Sequence, residues 1–141
     1  RNKVGPSTIK ESIKSIKKRK ILGIFPEGGI TSTQLTKAKP GAIFIASKAK
    51  TQILPVSISG GDNAWDELLS GVRSRITVNI GKPFGPFEIK GSKEEKISKM
   101  EDYSQELMCR IAALLPDDRH GDYSNDKSII KYRNENKLDL F

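Results

Sequence analysis

The chain has 141 residues, with 25 Lys+Arg against 17 Asp+Glu and a formal net charge of +8. This is the length of one compact domain, and no apolar run approaches the ~20 residues that a membrane-spanning helix needs. One cysteine excludes a disulfide framework and a cysteine metal cluster, so we expect no metal site. A histidine base, if this chain has one, can only be His120.

The positive charge is concentrated in the first third of the chain. Residues 1–50 hold 12 Lys or Arg and two acidic residues, a net of +10, whereas 51–100 carry +1 and 101–141 carry −3. We therefore expect a surface for anions in the first third. The first residue is Arg1 and no signal-peptide pattern follows it, so we expect the chain to be a fragment of something longer.

The first elements are predicted as a helix and a buried strand. Thr8 and Glu11 have the spacing of a capping box, and the helix they open has a stripe of isoleucines on one side and lysines on the other. The isoleucines are Ile9, Ile13 and Ile16, and the lysines are Lys10, Lys14, Lys17 and Lys18. Residues 21–25 then form a short apolar run that Pro26 ends, which predicts a strand buried on both faces of a parallel sheet.

The next segment is predicted as a loop, a helix and a second strand. Residues 26–40 are rich in Gly, Thr, Ser and Lys, and a loop of this length inside a domain is usually functional. A helix over 41–50 and a strand over 53–58 follow, with Pro55 indicating an edge or bulge position. Strand, helix and strand in this order predict a right-handed βαβ crossover.

The remaining elements are a short helix, a strand and a long helix. Helical turns are predicted over 64–70 and a half-buried strand over 75–80. The longest helical pattern, over 92–115, has one apolar stripe and ends at Pro116. Residues 117–141 are polar with little periodicity, and we interpret them as a mobile tail behind a domain that ends at residue 116.

The most informative segment follows the first predicted strand. Phe25, Pro26, Glu27, Gly28 and Gly29 place a carboxylate and two glycines where ligands bind in an open parallel sheet, at the carboxyl end of a strand. Glycine lets a ligand approach the backbone closely. The alternative is an ordinary turn in which Glu27 is solvated or ion-paired, and spacing alone leaves both open.

A second cluster precedes the next predicted helix. Lys37 and Lys39 lie just before Gly41, where their ammonium groups and the helix N-terminus would both favour an anion such as phosphate. The alternative is a solvated pair of lysines at the start of a helix, which is common.

Together these segments resemble one family. In order and spacing the chain is similar to the glycerolipid acyltransferases of the 1-acylglycerol-3-phosphate acyltransferase type, over about residues 1 to 123. The blocks that carry the resemblance are Ile24–Gly28, Lys39–Ala42, Ile53–Ile58, Gly81–Phe84 and the helix end Gln105–Pro116.

The resemblance implies a fold and a reaction. The expected fold is α/β, with a mixed, largely parallel sheet flanked by helices, like that of glycerol-3-phosphate acyltransferase, and a long C-terminal amphipathic helix. Residues 1–116 would be the C-terminal portion of this domain. The implied reaction transfers a fatty acyl group from acyl-CoA or acyl-carrier protein to lysophosphatidic acid, giving phosphatidic acid in phospholipid biosynthesis, with no cofactor.

The resemblance also implies roles for residues of this chain. The acceptor and its phosphate would be held by Arg1, Phe25, Pro26, Glu27, Gly28, Gly29, Lys37 and Lys39. The acyl-donor side would be shaped by Leu54, Pro55 and Val56.

The chain departs from the family pattern at two places. An arginine usually follows the Phe-Pro-Glu-Gly block, but here the sequence continues with Gly29, Ile30 and Thr31. The family's general base is a histidine with an aspartate five positions later, whereas His120 is followed at that distance by Asn125. We expect the catalytic pair upstream of Arg1, and we predict that this chain alone is inactive.

Two other functions compete with this interpretation. The lysines of the first helix could hold a non-catalytic domain against an anionic membrane, and the enzyme itself is expected at the cytoplasmic face of a membrane, peripherally or through a missing N-terminal segment. Nucleic-acid binding through phosphates is less favoured, because no aromatic residues alternate with the lysines and no nucleic-acid-binding motif is present.

Overall fold

The computed structural model describes residues 5–29 and 32–136, and it is a mixed α/β structure, as the sequence predicts. It divides into two compact units: the first takes residues from 1–29, 38–53 and 83–106, and the second takes those from 30–37, 54–82 and 107–141. Among the described residues, none of the helices combines the length and apolar character needed to cross a bilayer. The elements are α1 (Pro6–Lys17), α2 (Gly41–Ala49), β1 (Val56–Ser59), α3 (Ala64–Leu69), β2 (Thr77–Ile80), α4 (Lys93–Ala112) and α5 (Ser128–Asn136).

Helix α1 begins earlier than its sequence pattern indicates. Gly5 is the N-cap residue, Pro6 is the first helical residue, and no side chain caps the helix. Proline suits this position because its ring presets the helical φ angle and it lacks the N–H that would otherwise be unpaired. The predicted capping box of Thr8 and Glu11 is therefore wrong, since Thr8 already lies inside the helix.

A capping box is present instead at the start of α4. The Ser92 N–H donates to Glu95 Oε2 at 2.7 Å, and the Glu95 N–H donates to Ser92 Oγ at 3.2 Å. Two N–H groups that helix geometry leaves unpaired are thus satisfied reciprocally.

The core of the first unit is formed by α2 and an aromatic cluster. Ile43 of α2 is fully buried, and α1 packs against α2. The ring of Phe87 makes edge contacts with Phe84 and Tyr103, with centroids 5.2 and 5.0 Å apart. Ile53 and Phe84 exchange two backbone hydrogen bonds of 3.0 Å, which join the segment after α2 to the segment before α4.

The second unit contains an antiparallel pair of strands whose polar side chains face inward and whose apolar side chains are exposed. Ser57 pairs with Asn79, and both side chains donate to the Leu114 carbonyl beyond the end of α4, at 2.8 and 2.9 Å. The neighbouring side chains on the other face are apolar and exposed, with Ile58 at 62% and Ile80 at 60%. The strand predicted over 75–80 is therefore present as the shorter β2, but it is mostly exposed rather than half-buried, and the side chain it directs inward is the polar Asn79.

The largely parallel sheet and its βαβ crossover do not appear in the part of the chain that the structure describes, where the strand pair β1–β2 is antiparallel. The predicted buried strand over residues 21–25 is wrong, since Ile21 is 100% exposed and Phe25 is 67% exposed. A strand buried on both faces needs hydrogen-bonded neighbours at its edges, and no strand among the described residues pairs with this segment.

Residues 117–136 fold instead of forming the expected mobile tail. They contain two short 3₁₀ turns and helix α5, which buries Ile129 and Tyr132. Arg110 of α4 forms an ion pair with Glu135 of α5 at 3.1 Å and lies over the Tyr132 ring. A polar sequence was misleading here because a few apolar side chains and long-range ion pairs suffice to hold one short helix.

We predict that Ser92→Ala lowers the free energy of unfolding by about 1 kcal/mol, because it removes the capping hydrogen bond of α4. Thr8→Ala is the matched control, since Thr8 has the same sequence signal but caps no helix, and its effect should stay within about 0.5 kcal/mol. Urea unfolding followed by circular dichroism measures both. A larger loss for the Thr8 variant than for the Ser92 variant would contradict the helix starts described above.

Candidate functional site

The segment Phe25 to Gly29 forms a tight turn, called here the Pro26–Gly29 turn. The Gly28 N–H donates to the Phe25 carbonyl at 3.0 Å, which closes the turn. Gly28 has a φ of +84°, a left-handed conformation that side chains disfavour, so glycine is the favoured residue at this position. The Glu27 side chain is half-buried beside it.

Lys39 is brought against this turn from the next segment. Its backbone N–H donates to the Pro26 carbonyl at 2.8 Å. Its ammonium group lies so close to Gly28 that a Cβ built on Gly28 would be 2.5 Å from Lys39 Nζ. Lys39 thus lies against the turn that contains Glu27, so one residue from each of the two clusters seen in the sequence is at the same turn.

Helix α2 starts directly after Lys39 and adds to the positive potential. Pro40 is its N-cap residue and accepts from the Phe44 N–H at 2.9 Å, and no side chain caps this end. The first N–H groups of a helix lack partners within the helix and carry a partial positive charge. Lys39 and the start of α2 therefore form a combination that attracts phosphate.

The other predicted site residues lie elsewhere or outside the described residues. Lys37 is exposed and belongs to the second unit, as do Leu54, Pro55 and Val56. Pro55 is buried and its carbonyl accepts from the Gly81 N–H at 2.9 Å, whereas Leu54 is half exposed. Arg1, the first residue of the proposed phosphate site, lies outside the described residues, so its role stays a prediction.

His120 has a structural environment in the second unit. It is buried, and its Nε2 lies 3.2 Å from the Leu115 carbonyl and 3.3 Å from Arg133 Nη2. Arg133 also donates to the Leu115 carbonyl, at 3.0 Å, and to the Asp117 carboxylate. The hydrogen bond from Arg133 holds the pKa of the Asp117 carboxyl below its ordinary value. These contacts fasten α5 to the end of α4.

An open cleft in the second unit has the wrong charge for a phosphate. Its volume is about 450 Å³, and Asp117, Asp118 and Asp122 lie on its walls. Three carboxylates repel an anionic ligand, so this cleft does not suit the acceptor phosphate that the sequence predicts. Within residues 5–29 and 32–136, no group of three or more His, Cys, Asp or Glu side chains is placed to hold a metal ion.

Sequence reasoning missed two features of this site. It did not identify the hydrogen bond between the Lys39 N–H and the Pro26 carbonyl, because nothing in either residue type indicates that contact. It also explained Gly28 by ligand approach alone, whereas the structure adds a left-handed φ angle and a close lysine. The repeated glycine after Glu27 was the available signal for a special backbone conformation.

Comparisons with known proteins identify the family of this chain. A family model described as Acyltransferase matches residues 1–59, which include the Pro26–Gly29 turn, Lys39 and α2. The chain belongs to the acyltransferase family. It is 32% identical over 109 residues to the 1-acyl-sn-glycerol-3-phosphate acyltransferase of Bacillus subtilis (strain 168), a match that covers 76% of this chain and 53% of that protein.

The chain thus spans about half the length of the curated relative it matches. No solved structure gives a significant match to it. The boundary at residue 116 stays a prediction, since the family model covers only the first part of the chain.

We predict that Gly28→Ala lowers the free energy of unfolding by about 1–2 kcal/mol, the cost of a left-handed conformation for a residue with a Cβ. The Lys39 ammonium must also move away from the new methyl group. Gly29→Ala is the matched control, because a Cβ there meets nothing within 4 Å, and its effect should be much smaller. Urea unfolding gives the energies, and equal losses would contradict the described turn.

Proposed function

We propose that this chain is part of an enzyme that acylates the free hydroxyl of a lysophospholipid, with 1-acylglycerol-3-phosphate as the acceptor and phosphatidic acid as the product. The observation that supports this proposal most directly is that the Lys39 ammonium lies against the left-handed Gly28, next to Glu27, at one turn before the N-terminus of α2. The printed name of the Bacillus relative supports the choice of acceptor.

The turn offers complementary groups for the two ends of such an acceptor. The Lys39 ammonium and the first N–H groups of α2 would bind the phosphate, since charge-assisted hydrogen bonds are the stronger class. The Glu27 carboxylate would accept a hydrogen bond from a hydroxyl of the glycerol backbone. Holding a nucleophilic hydroxyl in a fixed place is itself a large contribution to rate.

The chemical step needs a general base, and the one histidine of the chain does not lie at this turn. The acceptor oxygen attacks the carbonyl carbon of an acyl thioester, the thiol leaves, and a base takes the hydroxyl proton. The chain's one histidine, His120, is buried among contacts that hold α5. We therefore propose that the base belongs to a longer protein and that this chain alone does not turn over.

The donor, the location and the complete sheet are further parts of the proposal. Acyl-CoA or acyl-carrier protein would supply the thioester, with Leu54, Pro55 and Val56 on the donor side and no cofactor. The acceptor is an amphiphile, which favours the cytoplasmic face of a membrane. In a protein as long as the relative, a larger and largely parallel sheet would cover apolar side chains that β1 and β2 expose.

The test assays the 141-residue chain and the longer protein side by side, with lysophosphatidic acid and acyl-CoA or acyl-carrier protein. We expect no turnover by the chain alone. In the longer protein, Glu27→Ala should lower kcat by on the order of 10²-fold through misplacement of the acceptor. Lys39→Gln should raise the KM for lysophosphatidic acid by about 10-fold through the loss of a charged contact.

Glu101→Ala is the control for this assay, because Glu101 is an exposed carboxylate on α4. It should leave both kinetic parameters unchanged. An equal loss for the Glu101 and Glu27 variants would contradict the site assignment, and turnover by the 141-residue chain would contradict the missing base.

A further inference from the structure

Helix α1 carries a row of lysines on one side, called here the lysine face. Its members are Lys10, Lys14, Lys17 and Lys18, and all four are exposed. Their spacing, with steps of four, three and one residues, keeps them within one side of a helix. Arg19 and Lys20 extend the positive charge just beyond the helix end and are also exposed.

Little negative charge neutralises this face. Glu11 is the one acidic residue of α1, and its ion pair with Lys14 has a length of 4.0 Å with both side chains exposed. Exposed pairs of this kind contribute little and are screened by salt. The face therefore presents a net positive field to the solvent.

Stabilisation of the helix itself explains only part of the lysine face. Lys14 and Lys17 lie in the last turn of α1, where positive side chains interact favourably with the helix dipole. Lys10 lies in the first half of the helix, where that interaction is absent or unfavourable. A continuous positive row along α1 thus suits a binding partner with extended negative charge.

The opposite side of α1 determines how such a partner is bound. Ile9, Ile13 and Ile16 are half-buried, and α1 packs against α2. The apolar stripe that would enter a bilayer in an amphipathic membrane helix is thus partly covered by the protein itself. What remains for a partner is an electrostatic contact through the lysines.

We propose that the lysine face adsorbs the protein to a membrane surface rich in anionic phospholipid. Clusters of four to eight Lys or Arg on a helix surface are typical of such contacts, with about 1 kcal/mol per basic residue near the surface. Nucleic acid fits less well, because α1 contains no aromatic side chain on which a base could stack. The contact requires neither acyl donor nor acceptor, so it is independent of the proposed acyl transfer.

The test is co-sedimentation of the 141-residue chain with vesicles made of equal parts phosphatidylcholine and phosphatidylglycerol, and with vesicles of phosphatidylcholine alone. The wild-type chain should bind only the anionic vesicles, and added salt should weaken the binding. Replacing all four lysines of the face by Gln, which preserves helix propensity, should weaken it by on the order of 10²–10³-fold.

A second fourfold variant is the matched control. It changes Lys82, Lys93, Lys96 and Lys127 to Gln, which removes the same charge from other exposed positions, and it should retain most of the binding. Circular dichroism reports whether the fourfold variants keep their helix content. If the fourfold variant misfolds, a Lys14→Gln/Lys18→Gln double variant replaces it, and we expect this variant to bind anionic vesicles about 10-fold more weakly than wild type.

Three outcomes would overturn the proposal. One is an absence of wild-type binding to anionic vesicles, and another is an equal loss in the two fourfold variants. The third is tighter binding to duplex DNA than to anionic vesicles at the same salt concentration, which would assign the face to nucleic acid. None of these outcomes bears on turnover, so the proposed acyl transfer is judged separately.

Discussion

The hydrogen bond from the Lys39 N–H to the Pro26 carbonyl is the contact on which the candidate site depends. It joins the Pro26–Gly29 turn to the segment before α2, and the Lys39 ammonium lies against Gly28, the residue that follows Glu27. One such bond contributes only about 1 kcal/mol net. Its importance is geometric, because it places the Lys39 ammonium and the start of α2 close to Gly28, and these are the groups that the proposed acceptor site uses.

Helix α2 connects this arrangement with the lysine face of α1. Lys39, two residues before α2, is hydrogen-bonded to the Pro26–Gly29 turn, and α1 packs against α2. The first unit therefore contains both the turn proposed to bind one phosphate and the exposed lysine face proposed to bind an anionic surface. An enzyme whose acceptor is a phospholipid would use both, first to reach the membrane and then to hold one acceptor molecule.

Local sequence patterns predicted the secondary-structure elements of this protein better than the tertiary contacts between them. The long helix, the short strands and the Glu27 turn follow from periodicity, proline and glycine, which act within a few residues. The buried strand over 21–25 and the mobile tail after Pro116 were wrong because burial depends on distant segments. Arg133 shows the limit most clearly, since nothing near it in sequence indicates that it binds the Leu115 carbonyl and Asp117. The capping boxes show a local limit as well. Helix α1 starts at Pro6, so Thr8 does not cap it, whereas Ser92 forms a capping box with Glu95.

The most direct test of the central claim is a titration of the ¹⁵N-labelled chain with glycerol 3-phosphate, the water-soluble head of the proposed acceptor, followed by amide chemical shifts. We predict saturable shifts at Gly28, Lys39 and Gly41, and loss of those shifts in Lys39→Gln. Shifts confined to the second unit, for example at Gly121, or no saturable shift at all, would contradict an acceptor site at the Pro26–Gly29 turn.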